Sequence, residues 1–450
     1  MRKTAVLVVA ILIAPLVFSI FPVVAASPLE QTVSARQSVR SFTSENVSSE
    51  QLLGVLRDAY GFASVNGSAS QIGSDYCLTV FAVNATGSYE YIPESSSLVG
   101  YSLSVNKETV RSHDEGWPSD ASVVLVVVWN QTTMSNEYFA SAEAGCLVQN
   151  VYLSAVSLNL GTCCVGGVDS AGLSFDLQLP SAMVPLLVMP LGYPLNPYPP
   201  ASPNFGLMTG NLPPVQYSTS SFEDALANMT LAQKWSAEYL PLVELSQLLW
   251  AAYGYTNVTS GSSYHRTTPS SFGVYPLIIF VSNATGVYQY SPGNHSVSEV
   301  MQGDKRSEIA NVTAGQVWVA DAPAVFLVVY DSSYNGGSTG DGGAVSHEFV
   351  EVDAGAVIQQ VLLEASARNL AANIVSDGLE DWNGTGAGQL RSVLGLPSAL
   401  IPLYIMPVGF PYVVVTEFSP LMIMPLVMLV TLLAVTVSRR KLASAGRACA

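Results

Sequence analysis

Arg36, Ser38 and Arg40 stand two residues apart near the start of the chain. In an extended segment all three side chains face one side, and in a helix Arg36 and Arg40 do. Two guanidiniums and a hydroxyl on one face suit a phosphate, because each guanidinium offers paired N–H donors to its oxygens. The plain alternative is a solvated basic patch. Charge counting favours the anion site. The 450-residue chain has 17 Lys and Arg against 33 Asp and Glu, a net of −16. Six of the cations (Arg2, Lys3, Arg439, Arg440, Lys441 and Arg447) sit in two ends that contain no acid. The stretch between holds 11 basic and 33 acidic residues, a net of −22, so two cations four residues apart are conspicuous. The same acidity excludes a nucleic-acid partner, which needs a basic stripe to meet phosphate. A hydrophobic fraction of 49% excludes a disordered chain.

Other chemistry-bearing residues form no constellation. The four histidines (His113, His265, His295, His347) are scattered, and His347-Glu348 lacks the second His of a zincin. The five cysteines show no CxxC and no paired spacing, so neither a zinc site nor a disulfide scaffold is expected, and the adjacent Cys163 and Cys164 read as core. No nucleophile elbow, phosphate loop or dinucleotide fingerprint is present. A metal site is not expected.

The ends suggest a compartment. Met1-Arg2-Lys3, an apolar run from Ala5 to Val24 and Ala25-Ala26-Ser27 make a signal peptide over 1–26, with an uncleaved signal anchor as the alternative. Leu421 to Ser438 carry no charge and are followed by Arg439-Arg440-Lys441. A transmembrane helix over 421–438 and a cytoplasmic tail over 439–450 are therefore expected, anchoring the chain in the cell membrane with its bulk outside. Ten of the 20 asparagines lie in Asn-x-Ser/Thr sequons between these ends, which favours a glycoprotein.

The middle of the chain repeats itself. Leu179-Pro180-Ser181-Ala182, Pro185-Leu186 and Met189-Pro190-Leu191-Gly192-Tyr193-Pro194 return as Leu396-Pro397-Ser398-Ala399, Pro402-Leu403 and Met406-Pro407-Val408-Gly409-Phe410-Pro411. Asn84-Ala85-Thr86-Gly87 returns as Asn283-Ala284-Thr285-Gly286. The offset grows from 193 to 217, so the second copy has longer loops, and a period near 200 means two whole domains. Domain one is placed at 30–194, a Pro- and Asn-rich linker at 195–214 and domain two at 215–412. Each copy reads as an amphipathic helix, two β runs joined by a turn, a buried strand, a long apolar helix and a closing strand. That order predicts an α+β fold, a mixed and mainly antiparallel sheet covered by helices.

Arg36-Gln37-Ser38-Val39-Arg40-Ser41-Phe42, with Val47-Ser48-Ser49-Glu50-Gln51-Leu52 after it, resembles the opening of the FMN-dependent nitroreductase family. The second copy resembles the SagB-type dehydrogenase branch of that family in Glu244-Leu245-Ser246-Gln247-Leu248-Leu249-Trp250-Ala251-Ala252-Tyr253-Gly254, Arg266-Thr267-Thr268-Pro269-Ser270-Ser271, Tyr275-Pro276-Leu277 and Gly303-Asp304-Lys305-Arg306. The likeness spans nearly all of residues 30 to 412.

The resemblance implies a flavoenzyme in which each FMN lies between two subunits. One subunit gives the Arg-x-Ser-x-Arg segment and a glycine turn, and the other gives a Pro-Ser segment near the ring. Copy one keeps Arg36, Ser38 and Arg40 with Gly166 and Gly167 at the turn, but its Pro-Ser segment has become Ser64-Val65-Asn66-Gly67-Ser68. Copy two keeps Pro269, Ser270 and Ser271. Its phosphate segment is expected at Lys234-Trp235-Ser236-Ala237-Glu238-Tyr239, and its turn, Ser376-Asp377-Gly378, is altered. The two copies are therefore expected to form an intramolecular pseudo-dimer with one composite FMN site for a small-molecule substrate. The catalytic residue is left unassigned, because in this family the flavin carries the electrons. The other class is a non-catalytic surface glycoprotein that keeps the fold as a binding module. No Lys or Arg follows Pro194 or Pro411, where many family members hold a further phosphate ligand.

Overall fold

The structure is a computed structural model that describes residues 27–61, 76–113, 120–261, 263–334, 346–376, 378–379, 382 and 384–412. In the first half the elements are α1 (Leu29–Ala35), α2 (Ser49–Ala59), β1 (Leu78–Asn84), β2 (Gly87–Ile92), β3 (Ser97–Ser102), α3 (Lys107–Arg111), β4 (Val123–Asn130), α4 (Glu137–Ser157), β5 (Gly161–Thr162), α5 (Ser170–Leu177) and β6 (Met183–Gly192). The second half continues with α6 (Phe222–Ala227), α7 (Leu242–Tyr253), β7 (Tyr255–Ser260), β8 (Ser263–Arg266), β9 (Leu277–Asn283), β10 (Gly286–Ser291), β11 (Ser296–Gln302), α8 (Arg306–Val312), α9 (Val317–Asp321), β12 (Ala324–Asp331), α10 (His347–Ala367), β13 (Ala371–Ala372), α11 (Thr385–Leu394) and β14 (Leu400–Gly409).

Each half builds a six-stranded sheet of the same topology, β3-β2-β1-β4-β6-β5 and β11-β10-β9-β12-β14-β13, and every paired neighbour is antiparallel. The central strand β4 reads Val-Val-Leu-Val-Val-Val-Trp-Asn and is buried on both faces, as an unbroken β-branched run must be when helices cover both sides. Among the described residues the hairpin β7–β8 has no counterpart in the first half.

The two long helices explain how the halves join. Both α4 and α10 run for 21 residues and are apolar around most of their circumference, which suits a helix buried on all sides. They cross at Gly145 and Gly355, where a Cβ on either glycine would overlap backbone of the partner helix. The crossing is completed by reciprocal polar pairs. Gln149 donates to Gln360 Oε1 at 2.7 Å and to the Thr267 carbonyl at 3.3 Å. On the other side Gln359 donates to Asn150 Oδ1 at 2.9 Å and to the Gly61 carbonyl at 3.0 Å. One apolar cluster runs through this crossing and takes in residues of both sheets.

Residues 195–214, expected as the linker, pack as a strap. Tyr198 donates to the Leu160 carbonyl, Asn204 N–H to Tyr255 O and Gly210 N–H to Asn294 O. The Ser246 hydroxyl donates to the Pro213 carbonyl at 2.5 Å and also meets His295 Nε2 at 2.7 Å. Because that hydroxyl already donates to a carbonyl, this Ser–His pair is a tie for the strap and not an activated nucleophile.

The expected fold class needs one correction. Two α+β halves with antiparallel sheets are present, but among the described residues no helix is long and apolar enough to cross a membrane. The expected C-terminal span at 421–438, with the tail at 439–450, lies outside the described residues, as does the expected signal peptide at 1–26. The single-pass membrane localisation read from those apolar ends is accordingly withdrawn: apolarity over eighteen residues permits a span and does not by itself make one.

Candidate functional site

A cavity of about 340 Å³ opens where the two halves meet, within the size range of small-molecule and cofactor pockets. The first half supplies Ser38 and Arg40 from the extended segment after α1, Ser141, Val148 and Tyr152 from α4, Cys163 to Gly167 after β5, and Leu186 and Leu187 from β6. The second half supplies the loop from Pro269 to Gly273, and Glu348, Phe349, Val352 and Asp353 from α10. Seven of the eight expected site residues (Ser38, Arg40, Gly166, Gly167, Pro269, Ser270 and Ser271) thus line one cavity, although they lie far apart in sequence.

Arg36 is the exception. Its side chain is 3% exposed and packs behind the wall, with its guanidinium 5.2 Å from the centre of the Tyr152 ring. One Nη donates to the Arg266 carbonyl at 2.9 Å, and Nε has no protein partner. Arg266, which flanks the Pro-Ser segment, also sits behind the wall. Its guanidinium lies 4.6, 4.6 and 4.7 Å from the ring centres of Tyr253, Tyr255 and Tyr275, a cation–π cage that fixes the β8 end and gives Tyr275 a packing role.

Two polar arrangements, both missed in the sequence, shape the cavity. Tyr152 OH accepts the Cys164 N–H at 2.9 Å and meets Ser38 Oγ at 3.0 Å, so the tyrosine joins the phosphate-type segment to the glycine turn. Burial pushes its hydroxyl well above the usual range, which keeps it a neutral donor. Across the cavity, Asp353 holds the Pro-Ser loop. Its Oδ2 accepts from Ser270 Oγ at 2.5 Å, and its Oδ1 accepts from Ser271 N–H at 2.8 Å and Ser271 Oγ at 3.0 Å. Burial raises the Asp353 carboxyl to about 7 against these hydrogen bonds. Asp353 could have been found from sequence, since it is an acid inside an apolar helix and recurs as Glu143 in the other copy.

The loop that Asp353 holds is strained. Phe272 has φ 56° and Tyr275 has φ 56°, a region costly for bulky side chains. Phe272 nevertheless stays 63% exposed, with its ring 5.5 Å from that of Phe349. The paired thiols are not core alone: Cys163 is buried and Cys164 half-buried, and both line the cavity. Burial, followed by Cys163, pushes the Cys164 thiol up, which disfavours its thiolate. Among the described residues no group of three or more His, Cys, Asp or Glu could hold a metal ion.

The second copy's phosphate-type segment is in a different register from the one expected. Phe42 bridges to Pro194 and Trp235 bridges to Pro411. Val39 N–H meets Thr162 O, and Ala232 N–H meets Ala372 O. These pairs align Arg36, Ser38 and Arg40 with Met229, Leu231 and Gln233, not with Lys234 and the residues after it. The backbone bridges set this register. The first copy's Pro-Ser counterpart, 64–68, lies outside the described residues.

A sequence profile of the nitroreductase family matches residues 33–193 and 233–410, one segment in each half. The chain belongs to the nitroreductase family. A protein of Methanocaldococcus jannaschii that bears the nitroreductase name is 31% identical over 193 residues, which is 42% of this chain and 89% of the relative. A crystal structure from Anabaena variabilis, also described as a nitroreductase, aligns with a TM-score of 0.64 at 17% identity, covering 86% of this chain and 92% of that one. It shows the same fold carried through both halves. A structure from Ralstonia eutropha described in the same way covers 46% of this chain and 90% of its own at 23% identity, with a TM-score of 0.38.

Proposed function

We propose that the chain is an FMN-dependent oxidoreductase of nitroreductase type, of the SagB-type branch, with one composite flavin site between two domains, 30–194 and 215–412, that pair as an intramolecular pseudo-dimer. The observation that carries this reading is the single cavity that gathers Ser38, Arg40, Gly166 and Gly167 from one half and Pro269, Ser270 and Ser271 from the other.

The residues present fit the group. Arg40 and the Ser38 hydroxyl offer donors to a phosphate, and the buried, unpartnered Nε of Arg36 adds positive field behind them. Gly166 and Gly167 let backbone approach a ring, and a Cβ on Gly166 would overlap Phe349. Val148, Leu187 and Val352 offer apolar faces to a planar ring. Bound FMN would supply two-electron redox chemistry. The chain's own part is to orient the ring, to exclude water with the Phe272–Phe349 lip, and to keep a proton on Tyr152. The substrate is a small molecule that accepts or gives up a hydride-equivalent pair, either a quinone or nitro compound reduced or a heterocycle dehydrogenated.

Titration of the full chain with FMN, read by flavin absorbance and fluorescence, tests the proposal. One equivalent per chain is expected. Arg40→Ala should weaken uptake by about 10- to 100-fold through loss of charge-assisted hydrogen bonds, while Gln233→Ala, at the aligned position of the other half, should leave it unchanged. A chain that takes up no flavin would sink the reading and leave the fold as a binding module. With flavin bound, a panel of acceptors and heterocycles separates reductase from dehydrogenase.

A further inference from the structure

The approximate twofold that exchanges the halves carries the cavity onto a second place, and there the chain has put a side chain. The paired helices align with an offset of 210, so Ser141 and Glu348 of the cavity wall correspond to Glu351 and Tyr138. The paired strands β6 and β14 align Leu187 with Tyr404. At this second place lies the indole of Trp382, 3% exposed. Its Nε1 donates to Glu351 Oε1 at 2.6 Å, and Tyr404 OH donates to Glu351 Oε2 at 2.8 Å. The indole stacks on His347 with ring centres 3.8 Å apart and planes 29° apart. The rings of Tyr330 and Tyr138 stand 5.1 and 5.7 Å away.

The segment that carries Trp382 is itself extra. From the bridge residue Val165 to the end of α5 at Leu177 there are 12 positions; from Val375 to the end of α11 at Leu394 there are 19. Seven added residues in the second half therefore bring one aromatic ring into the place related to the cavity. The ring finds what a planar heterocycle would find there: a stacking partner and a carboxylate acceptor for its N–H, while Leu231 and Gln233 stand where Ser38 and Arg40 stand in the first half.

We infer that this place is a second binding site for a planar aromatic ring, and that Trp382 is its resident, covalently tethered occupant. That the first cavity holds a flavin ring rests on the reading proposed above. The tethered indole does not depend on it. The structure then explains a one-flavin stoichiometry by occupancy as well as by lost phosphate contacts.

Trp382→Gly in the full chain, melted with and without indole, tests the inference. Removing the ring should lower the melting temperature by roughly 10 °C, the scale of emptying a large buried aromatic site. Indole should raise it again saturably in the variant and leave the wild-type chain unmoved, because a ligand stabilises only the state with room for it. If Trp382→Gly does not fold, Trp382→Leu is read with benzene in the same way. Two equivalents of FMN per wild-type chain, or equal effects of the aromatic on wild type and variant, would overturn the inference. Indole rescue without any flavin uptake by the wild-type chain would keep it and overturn only the flavin proposal.

Discussion

Strands β1, β2 and β4 place buried and half-buried residues in the same order, position for position, as β9, β10 and β12. The same two halves put Ser38 and Arg40 against Leu231 and Gln233, and an open cavity against the Trp382 indole. The contrast separates two kinds of constraint. A strand interior must match its neighbours in volume at every position, since dense packing penalises both voids and overfilling. A cavity wall has no such neighbour, so its residues are held only by what they bind. Where nothing is bound, a wall can be filled from within.

The strongest way to break the comparison is at the seam both halves share. A side chain on Gly355 would run into the Ala142 carbonyl and push α10 off α4. Gly355→Val should cost about 3–5 kcal/mol in chemical denaturation, at the severe end for single substitutions. Gly388 in α11 meets only the tip of Arg391, 3.8 Å away, so Gly388→Ala should instead gain up to about 1 kcal/mol of helix propensity. Equal effects at the two glycines would mean that the helix crossing does not hold the halves together.

That seam also marks where sequence reading succeeded and failed. The repeat of Pro-Leu-x-x-Met-Pro-x-Gly placed β6 and β14, because a period-two apolar phrase and its turn residues are local. The cavity was legible in part, since seven of its lining residues carry recognisable spacing. Arg36 could not be seen to turn behind Tyr152, because that depends on the carbonyl of Arg266, 230 positions away. The shifted register of Met229, Leu231 and Gln233 was hidden for a similar reason. The bridge of Trp235 to Pro411 and the bond from Ala232 N–H to Ala372 O fix it, and both partners lie well over a hundred positions away. Trp382 belongs to no motif or repeat phrase that would mark it in the sequence.

Asp353 beside the open cavity and Glu351 in the filled place sharpen the contrast through pH. Burial raises both carboxyls to about 7, Asp353 from 3.8 and Glu351 from 4.5. Between those values the folded chain keeps protons that the unfolded chain has released, so these groups make stability fall as pH rises from about 4 to 7. Asp353→Asn removes one titrating group while leaving an amide that can accept from Ser271. The expected result is a flatter stability profile over that window, by up to about 1.4 kcal/mol per pH unit, with little change below pH 4. Saturating FMN should alter the wild-type slope only if Asp353 borders the bound ring. Glu351→Gln should flatten the profile to a similar degree without any response to FMN.

The smallest expected difference lies at the first turn of two matched helices. Ser48 caps α2 by accepting the Gln51 N–H at 3.2 Å, while Gln51 Oε1 accepts the Ser48 N–H at 3.1 Å, a complete capping box. The matched helix α7 starts after Pro241 and has no side-chain cap. A capping side chain satisfies an N–H that the helix itself leaves open, and its loss costs about 1 kcal/mol. Ser48→Ala should therefore destabilise the chain by about that amount, measured as a shift in denaturation midpoint at unchanged slope. Pro241→Ser supplies the missing acceptor but gives up proline's restraint on the unfolded chain, worth about 0.4–1 kcal/mol. The two terms should leave Pro241→Ser within about 0.5 kcal/mol of wild type. A loss at position 241 as large as that at position 48 would show that α7 depends on its proline, and that the two halves start this helix by different physics.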